Sequence, residues 1–600
     1  TLIELAAVCV ICAIASYALG RFWPRLATPS VRPLERFRQV GRSAWIVLLG
    51  YGLGSIVLLG VAVAAPEAIT DTINSLVIFI VATSLWLPVA SLAAYAAMMW
   101  RVPLYLIFVL WIGGTSFFND AHDVRRVRED PTPSSSSAVF DRQNASTAFD
   151  RWSRQNAPVS ADLVRPVVFV ATAGGGLRAA LWTVSVLGEI EAAAPGGWDK
   201  IFAISGVSGG AVGATIYTTV QFASSLSPDL TCASDAWYCA QQAMQEDFLA
   251  PSTLALVFPD VLRMLLPLRW PELPDRAAAL EKAWEVKWAQ VMLGPDARAN
   301  DRRNRLANSF MSIWPPGRSW PVLLLNSTSV ETGKRVIISN VLIDGAFSQR
   351  QEAFVEPPVF PDSFDGLRIL GRDIPASAAA NLASRFPYVE PAARFAFDCR
   401  RLVPTGPDFF SDAPERLVEG CRGKGGKITW GRVVDGGYFE NFGVPTLSDL
   451  LRHLKPDLAK EGAFLPIVIQ ISSDPDIDLI DGALVDWRRP SQFVHQTVAP
   501  PLALANTRTA RGILALTELK RTSREVDGAF LHFRLCRVKK NRTPPLGWYM
   551  SIKAFRVLFD ARQNCQNQTQ IHVLKLCLQA RTRADAKECI RLASEIPGNR

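Results

Sequence analysis

Hydrophobic runs divide this chain before any motif is considered. Residues 5–23, 43–65, 76–100 and 102–118 are apolar stretches almost without charge. A helix needs roughly 20 apolar residues to cross a ~30 Å hydrocarbon core. The pattern therefore predicts an N-terminal bundle of about four transmembrane helices within residues 1–119. A cleaved signal peptide is the rival for the first run, although no basic segment precedes it. Residues 120–165 turn polar, with Pro131, Pro133 and the serines 134–137, and read as a linker. Beyond Arg165 the period changes again. Val167-Val168-Phe169-Val170 is a short β-branched run suited to a buried strand, and a helical pattern follows from about Leu177 to Ala194. Ile201 to Ile204 leads into a second helix. Further strands are expected at Val322 to Leu325, Arg335 to Ile338, Val433-Val434 and Pro466 to Ile471. Strands alternating with helices predict a mostly parallel sheet covered on both faces.

Composition sharpens this picture. The 600 residues are 49% hydrophobic and only 20% charged, which excludes a disordered polyelectrolyte. The net charge of +9 lacks any Lys/Arg block with interleaved aromatics, so no nucleic-acid partner is expected. Six arginines (Arg21, Arg25, Arg32, Arg36, Arg38, Arg42) face a single Glu35 between the first two runs, whereas the next loop carries Glu67 and Asp71. Positive loops stay cytoplasmic. Four spans would then make an integral membrane protein with its catalytic domain on the non-cytoplasmic, periplasmic side of the inner membrane. Eight of the ten cysteines follow these runs. The even number suggests disulfides, with Cys232–Cys239 and Cys399–Cys421 the expected bridges, against the alternative of unrelated reduced thiols.

The chemistry lies in three glycine-rich turns. Ala173-Gly174-Gly175-Gly176-Leu177-Arg178, between strand and helix, lets successive amides point at one spot and makes an anion nest. Ser205-Gly206-Val207-Ser208-Gly209-Gly210 contains Gly-x-Ser-x-Gly in strand–turn–helix context, which presents a serine hydroxyl at a helix start. Asp435-Gly436-Gly437 follows another strand and is either a turn starter or a carboxylate placed to take a proton. Asp344, in Ile343-Asp344-Gly345-Ala346, offers a second candidate base. A Ser–His–Asp triad is the rival arrangement, with His495 the histidine most open to suspicion among the five present.

Together and in this order, the three turns resemble the patatin-like phospholipase family over roughly Pro166 to Leu450. The small-residue stretch from Ile374 to Phe386-Pro387 resembles the segment that precedes that family's aspartate, and Asn441 resembles the asparagine that trails it. Ala179 stands where the family usually carries glycine. The resemblance implies an α/β fold, a three-layer α/β/α domain over residues 166–600, with an insertion at about 222–320 and a C-terminal extension at about 475–600. It implies a membrane-anchored serine acyl hydrolase acting on lipid or phospholipid esters at a bilayer through a Ser–Asp dyad. Ser208 would be the nucleophile and Asp435 the base. Gly174, Gly175, Gly176 and Gly209 would form the oxyanion hole, with Arg178 supporting that loop. No cofactor and no metal are implied, and oligomeric state is left open. Asp435 is preferred over Asp344 because it follows the Ile374–Pro387 segment. A non-catalytic lipid-binding protein that keeps the fold is the alternative. In the insertion, Leu254 to Trp270 is apolar and broken by Pro259 and Pro267, and is either a lid or acyl-chain groove or buried core.

Overall fold

The computed structural model describes residues 42–64, 66–70, 72–100, 103–118, 122–127, 139–155, 163–227, 230–232, 235–265, 275–314, 320–344, 358–386, 389–399, 421, 427–459, 464–474, 495–535, 544–563 and 566–597. Two compact units emerge, one of Thr1–Ala121 with Thr253–Asp275, the other of His122–Ser252 with Arg276–Arg600.

The first unit contains helices α1 (Arg42–Ala64), α2 (Ser75–Trp100) and α3 (Leu104–Phe118). The first of the four expected runs lies outside the described residues. Among the described residues, no helix is long and apolar enough to cross a membrane. That finding overturns the expected transmembrane bundle and, with it, the expected placement as an integral membrane protein. Part of the reason is visible in the packing. At 1.5 Å per residue, α3 with its 15 residues rises only about 22 Å. The Pro-broken segment of the insertion joins these helices: the Trp86 indole donates to the Val257 carbonyl at 3.0 Å, and the Thr115 hydroxyl donates to that of Met264 at 2.9 Å. Ala62, Ile78 and Ala82 are buried within the unit, while Leu53, Leu76 and Leu110 remain exposed. A hydropathy run does not distinguish lipid from an apolar segment of the same chain as the covering partner.

The second unit is built on one sheet. In chain order it has α4 (Ala145–Gln155), β1 (Arg165–Thr172), α5 (Gly176–Ala193), β2 (Ile201–Val207), α6 (Gly209–Leu226) and α7 (Arg276–Leu293). Next come β3 (Val322–Ser329), β4 (Arg335–Ser339), β5 (Ser363–Asp365), α8 (Ala376–Leu382), β6 (Ala393–Asp398) and β7 (Lys427–Asp435). Then follow α9 (Val444–Ala459), β8 (Phe464–Ser472), α10 (His495–Glu525), β9 (Ala529–Arg534), α11 (Ile552–Asp560), α12 (Asn567–Gln579) and α13 (Arg583–Glu595).

The nine strands run β5-β4-β3-β2-β1-β8-β9, with β7 pairing β3 and β6 off that path. The sheet is mixed: β1, β2, β3, β8 and β9 run parallel, whereas β3–β4, β3–β7 and β6–β7 are antiparallel. A tight turn explains the first reversal. Gly333, at φ 67°, donates its amide to the Ser329 carbonyl and closes a hairpin between β3 and β4.

Alternation along the strands fills two cores. Val168, Val170, Ile204, Leu323 and Ile467 face one side, under α5, α6, α7, α8 and α12. Val167, Phe169, Ala203, Leu324 and Val468 face the other, against Phe149 and Trp152 of α4, Leu447 and Leu451 of α9, and Leu516 and Leu519 of α10. Helices therefore cover both faces, as a sheet with buried central strands requires.

Among the described residues three disulfides are formed: Cys232–Cys239, Cys399–Cys421 and Cys577–Cys589. The last staples α12 to α13. Cys9, Cys12, Cys536 and Cys565 lie outside the described residues. Peptide mapping without reduction is expected to recover these three cross-links; free thiols at Cys577 and Cys589 would contradict the packing of α12 on α13.

Candidate active site

Strand register brings the three glycine-rich turns to one edge of the sheet. Thr172 pairs with Gly206 and Val207 with Asn326, so the ends of β1 and β2 lie side by side next to β3. β7 runs back along β3 and places Asp435 opposite Ser327. The nucleophile candidate, Ser208, follows β2 immediately.

Ser208 has φ 51° and ψ −130°, a conformation that costs a non-glycine residue about 1–3 kcal/mol. It stands at the N-cap of α6, where a serine ordinarily accepts a backbone amide, yet its hydroxyl makes no capping bond. Its own amide donates to the Ala383 carbonyl at 2.9 Å. The turn is feasible because its neighbours lack side chains. A Cβ on Gly209 would collide with the Gly176 carbonyl, and one on Gly174 would stand 2.8 Å from the Ser208 Cβ.

Asp435 is buried and accepts the Gly437 amide at 2.6 Å through Oδ1. Burial pushes its pKa up to about 6, opposed by a hydrogen bond from Ser208, by the Gly437 amide and by the field of Arg508. Its Oδ2 nonetheless lacks a partner at full hydrogen-bonding geometry. The serine and the carboxylate are thus within mutual influence, Ser208 being a hydrogen-bond partner of the buried Asp435.

The first turn divides its amides between structure and chemistry. Gly174 donates to the Asn441 carbonyl at 2.9 Å and Leu177 to that of Gly547 at 2.8 Å. Gly175 (φ 144°) and Gly176 (φ 57°), together with Gly209 at the start of α6, donate to no backbone carbonyl among the described residues. These three amides therefore have no backbone acceptor among the described residues, whereas Gly174, the fourth donor expected for an oxyanion hole, is occupied. Arg178 is buried and reaches from α5 to the Pro544 carbonyl at 3.1 Å, tying the turn to the C-terminal extension.

No protein-family model matches the chain, and no curated protein matches it as a relative.

Several residues that shape the site carry no sequence signature. The turn after α8 ties the Ser208 turn to the Asp435 turn: the Ala383 carbonyl accepts both the Ser208 and Gly436 amides, and the Arg385 carbonyl accepts that of Asp435 at 3.0 Å. Arg385 itself is buried between Glu281, at 3.7 Å, and the Pro391 carbonyl. Arg125 and Asn381 close round the same Glu281, whose pKa burial raises. Ser473 donates to the Gly174 carbonyl at 2.7 Å from the end of β8. Glu440, buried and raised to about 7 by that burial, holds the Phe442 and Gly443 amides and stiffens the loop after Asp435.

The competing candidates are elsewhere. Asp344 accepts the Val359 amide at 3.1 Å, under the electrostatic influence of His453. His453 bonds Ser146, and His532 bonds Ser472, rather than Ser208. The side chain of His495 lies outside the described residues.

Proposed function

We propose that this chain is a serine ester hydrolase using a Ser208–Asp435 dyad, with acyl esters of lipid type as its substrates. The observation that carries this reading is the pairing of a strained, uncapped serine with a buried carboxylate whose pKa stands near 6. A hydroxyl is a poor nucleophile until a neighbouring base takes its proton, and a base near neutrality suits that task. In the first half-reaction the Ser208 oxygen bonds the ester carbonyl carbon as its proton moves to Asp435. The carbonyl oxygen becomes an oxyanion over the Gly175, Gly176 and Gly209 amides. Collapse breaks the bond to the alcohol, which leaves with the proton from Asp435. In the second half, water attacks the acyl-serine while Asp435 takes its proton and returns it to Ser208. Lipid esters are the substrate class that the resemblance implies, and exposed Phe386 and Tyr438 beside the dyad give apolar surface of the matching kind.

A fluorophosphonate probe tests the reading. The expected result is one covalent adduct, mapped by peptide mass spectrometry to Ser208 and lost on Ser208→Ala. An unlabelled protein that still binds lipid would favour the non-catalytic alternative.

A further inference from the structure

The oxyanion turn has a wall that lies beyond the region of family resemblance. Residues 544–551 connect toward α11, and their side chains divide between two sides. Pro544, Trp548 and Met550 are buried, whereas Leu546 and Tyr549 are exposed. The inward side chains anchor the segment, with Trp548 packed on Trp284 of α7 at a centroid distance of 5.1 Å. Its backbone is fixed to the turn as well. The Gly547 carbonyl accepts Leu177, the Pro544 carbonyl accepts Arg178, and a Cβ on Gly176 would stand 2.7 Å from the Gly547 oxygen.

Leu546 is therefore an outward side chain on a fixed backbone. It is 68% exposed, and its Cδ2 lies 3.6 Å from where a Cβ on Gly175 would stand. Gly175 is one of the amides left to hold the oxyanion, and its neighbour Gly174 packs on Ser208. An exposed leucine beside this turn loses its contact with water when an apolar ligand lies over it. The reaction itself decides which part of the ester that is. The alcohol oxygen leaves with a proton from Asp435, so the alcohol lies on the aspartate side. The carbonyl oxygen faces the glycine amides, so the acyl chain takes a remaining direction, and the exposed Leu546 beside Gly175 offers apolar surface for it.

We propose that Leu546 is a specificity residue that packs against the proximal carbons of the substrate acyl chain, and that the C-terminal extension thereby sets chain-length preference. This inference rests on the ester-hydrolase reading. Because Leu546 is exposed, its replacement leaves the fold intact. The test uses the full chain, p-nitrophenyl esters with acyl groups from acetate to decanoate, and fluorophosphonate labelling in parallel. With Leu546→Ser, kcat/KM for acetate is expected to stay within about twofold while that for decanoate falls about tenfold or more. Leu546→Trp is expected to shift the optimum to shorter chains, and both variants to label at Ser208 like wild type. Unchanged chain-length profiles in both variants, with Ser208 still labelled, would overturn the assignment of Leu546 alone. Absence of both labelling and turnover in wild type would overturn the hydrolase reading and this inference with it.

Discussion

Alanine at position 208 is expected to abolish ester turnover, lowering kcat by at least about a thousandfold. The fold should survive the change. Alanine keeps the Cβ and so inherits the same cost at φ 51°, and the lost hydroxyl caps no helix end. The amides of Gly175, Gly176 and Gly209 stay in place, so weak residual catalysis by the oxyanion site is expected rather than none. Loss of the hydroxyl also removes the hydrogen bond that partly offsets the burial of Asp435. In the variant the carboxyl pKa should therefore rise further, which a titration by NMR of labelled aspartate can follow. Steady-state rates with a short-chain ester, alongside thermal melts, check the prediction. Turnover at the wild-type level with an unchanged melt would remove Ser208 from the mechanism.

The parts of the site that were legible in the sequence are those made by side-chain absence. Gly174, Gly209 and Gly436 each stand where a Cβ would meet backbone or a dyad side chain, and a glycine beside a serine or an aspartate records that close approach directly. The parts that were not legible are made by carbonyls. Ala383 and Arg385 hold Ser208, Gly436 and Asp435 through main-chain oxygens that any residue supplies, so nothing in their identities marks the role. Gly547 and Ser473 act across hundreds of residues of sequence separation, through the pairing of β8 with β1 and the packing of Trp548, which no local pattern encodes. The mostly parallel sheet was legible in the alternation of strands and helices, and its antiparallel pairings, such as the β3–β4 hairpin closed at Glu331-Thr332-Gly333-Lys334, are the minority. The N-terminal region was misread for a physical reason. Hydropathy measures what a segment avoids, and α2 and α3 meet Val257 and Met264 of the same chain.

Asparagine at position 435 is expected to lower kcat/KM by about 10²–10⁴-fold, whereas Asp344→Asn is expected to leave it within about twofold. The introduced amide can still accept the Gly437 amide through its carbonyl oxygen, so what the variant loses is the capacity to take a proton. Asp344 serves the Val359 amide, a task asparagine also performs. The pH dependence separates a base from a merely structural carboxylate. Wild-type kcat/KM should rise as Asp435 deprotonates, with a midpoint near pH 6, and level off above it. Stability runs the opposite way. Burial raises the folded pKa of Asp435 above its ordinary value of 3.8, so its contribution is most favourable below that value and declines as pH rises through about 6. A shift of this size corresponds to about 3 kcal/mol once the group is fully ionised. Asp435→Asn should therefore melt higher than wild type at pH 8 and lose that advantage toward pH 4, trading activity for stability as buried catalytic charges do. A variant at 435 that keeps its activity would show that this carboxylate is not the base, and one that melts lower at pH 8 than at pH 4 relative to wild type would show that burial does not raise its pKa. A collapse of activity in Asp344→Asn would move the base there.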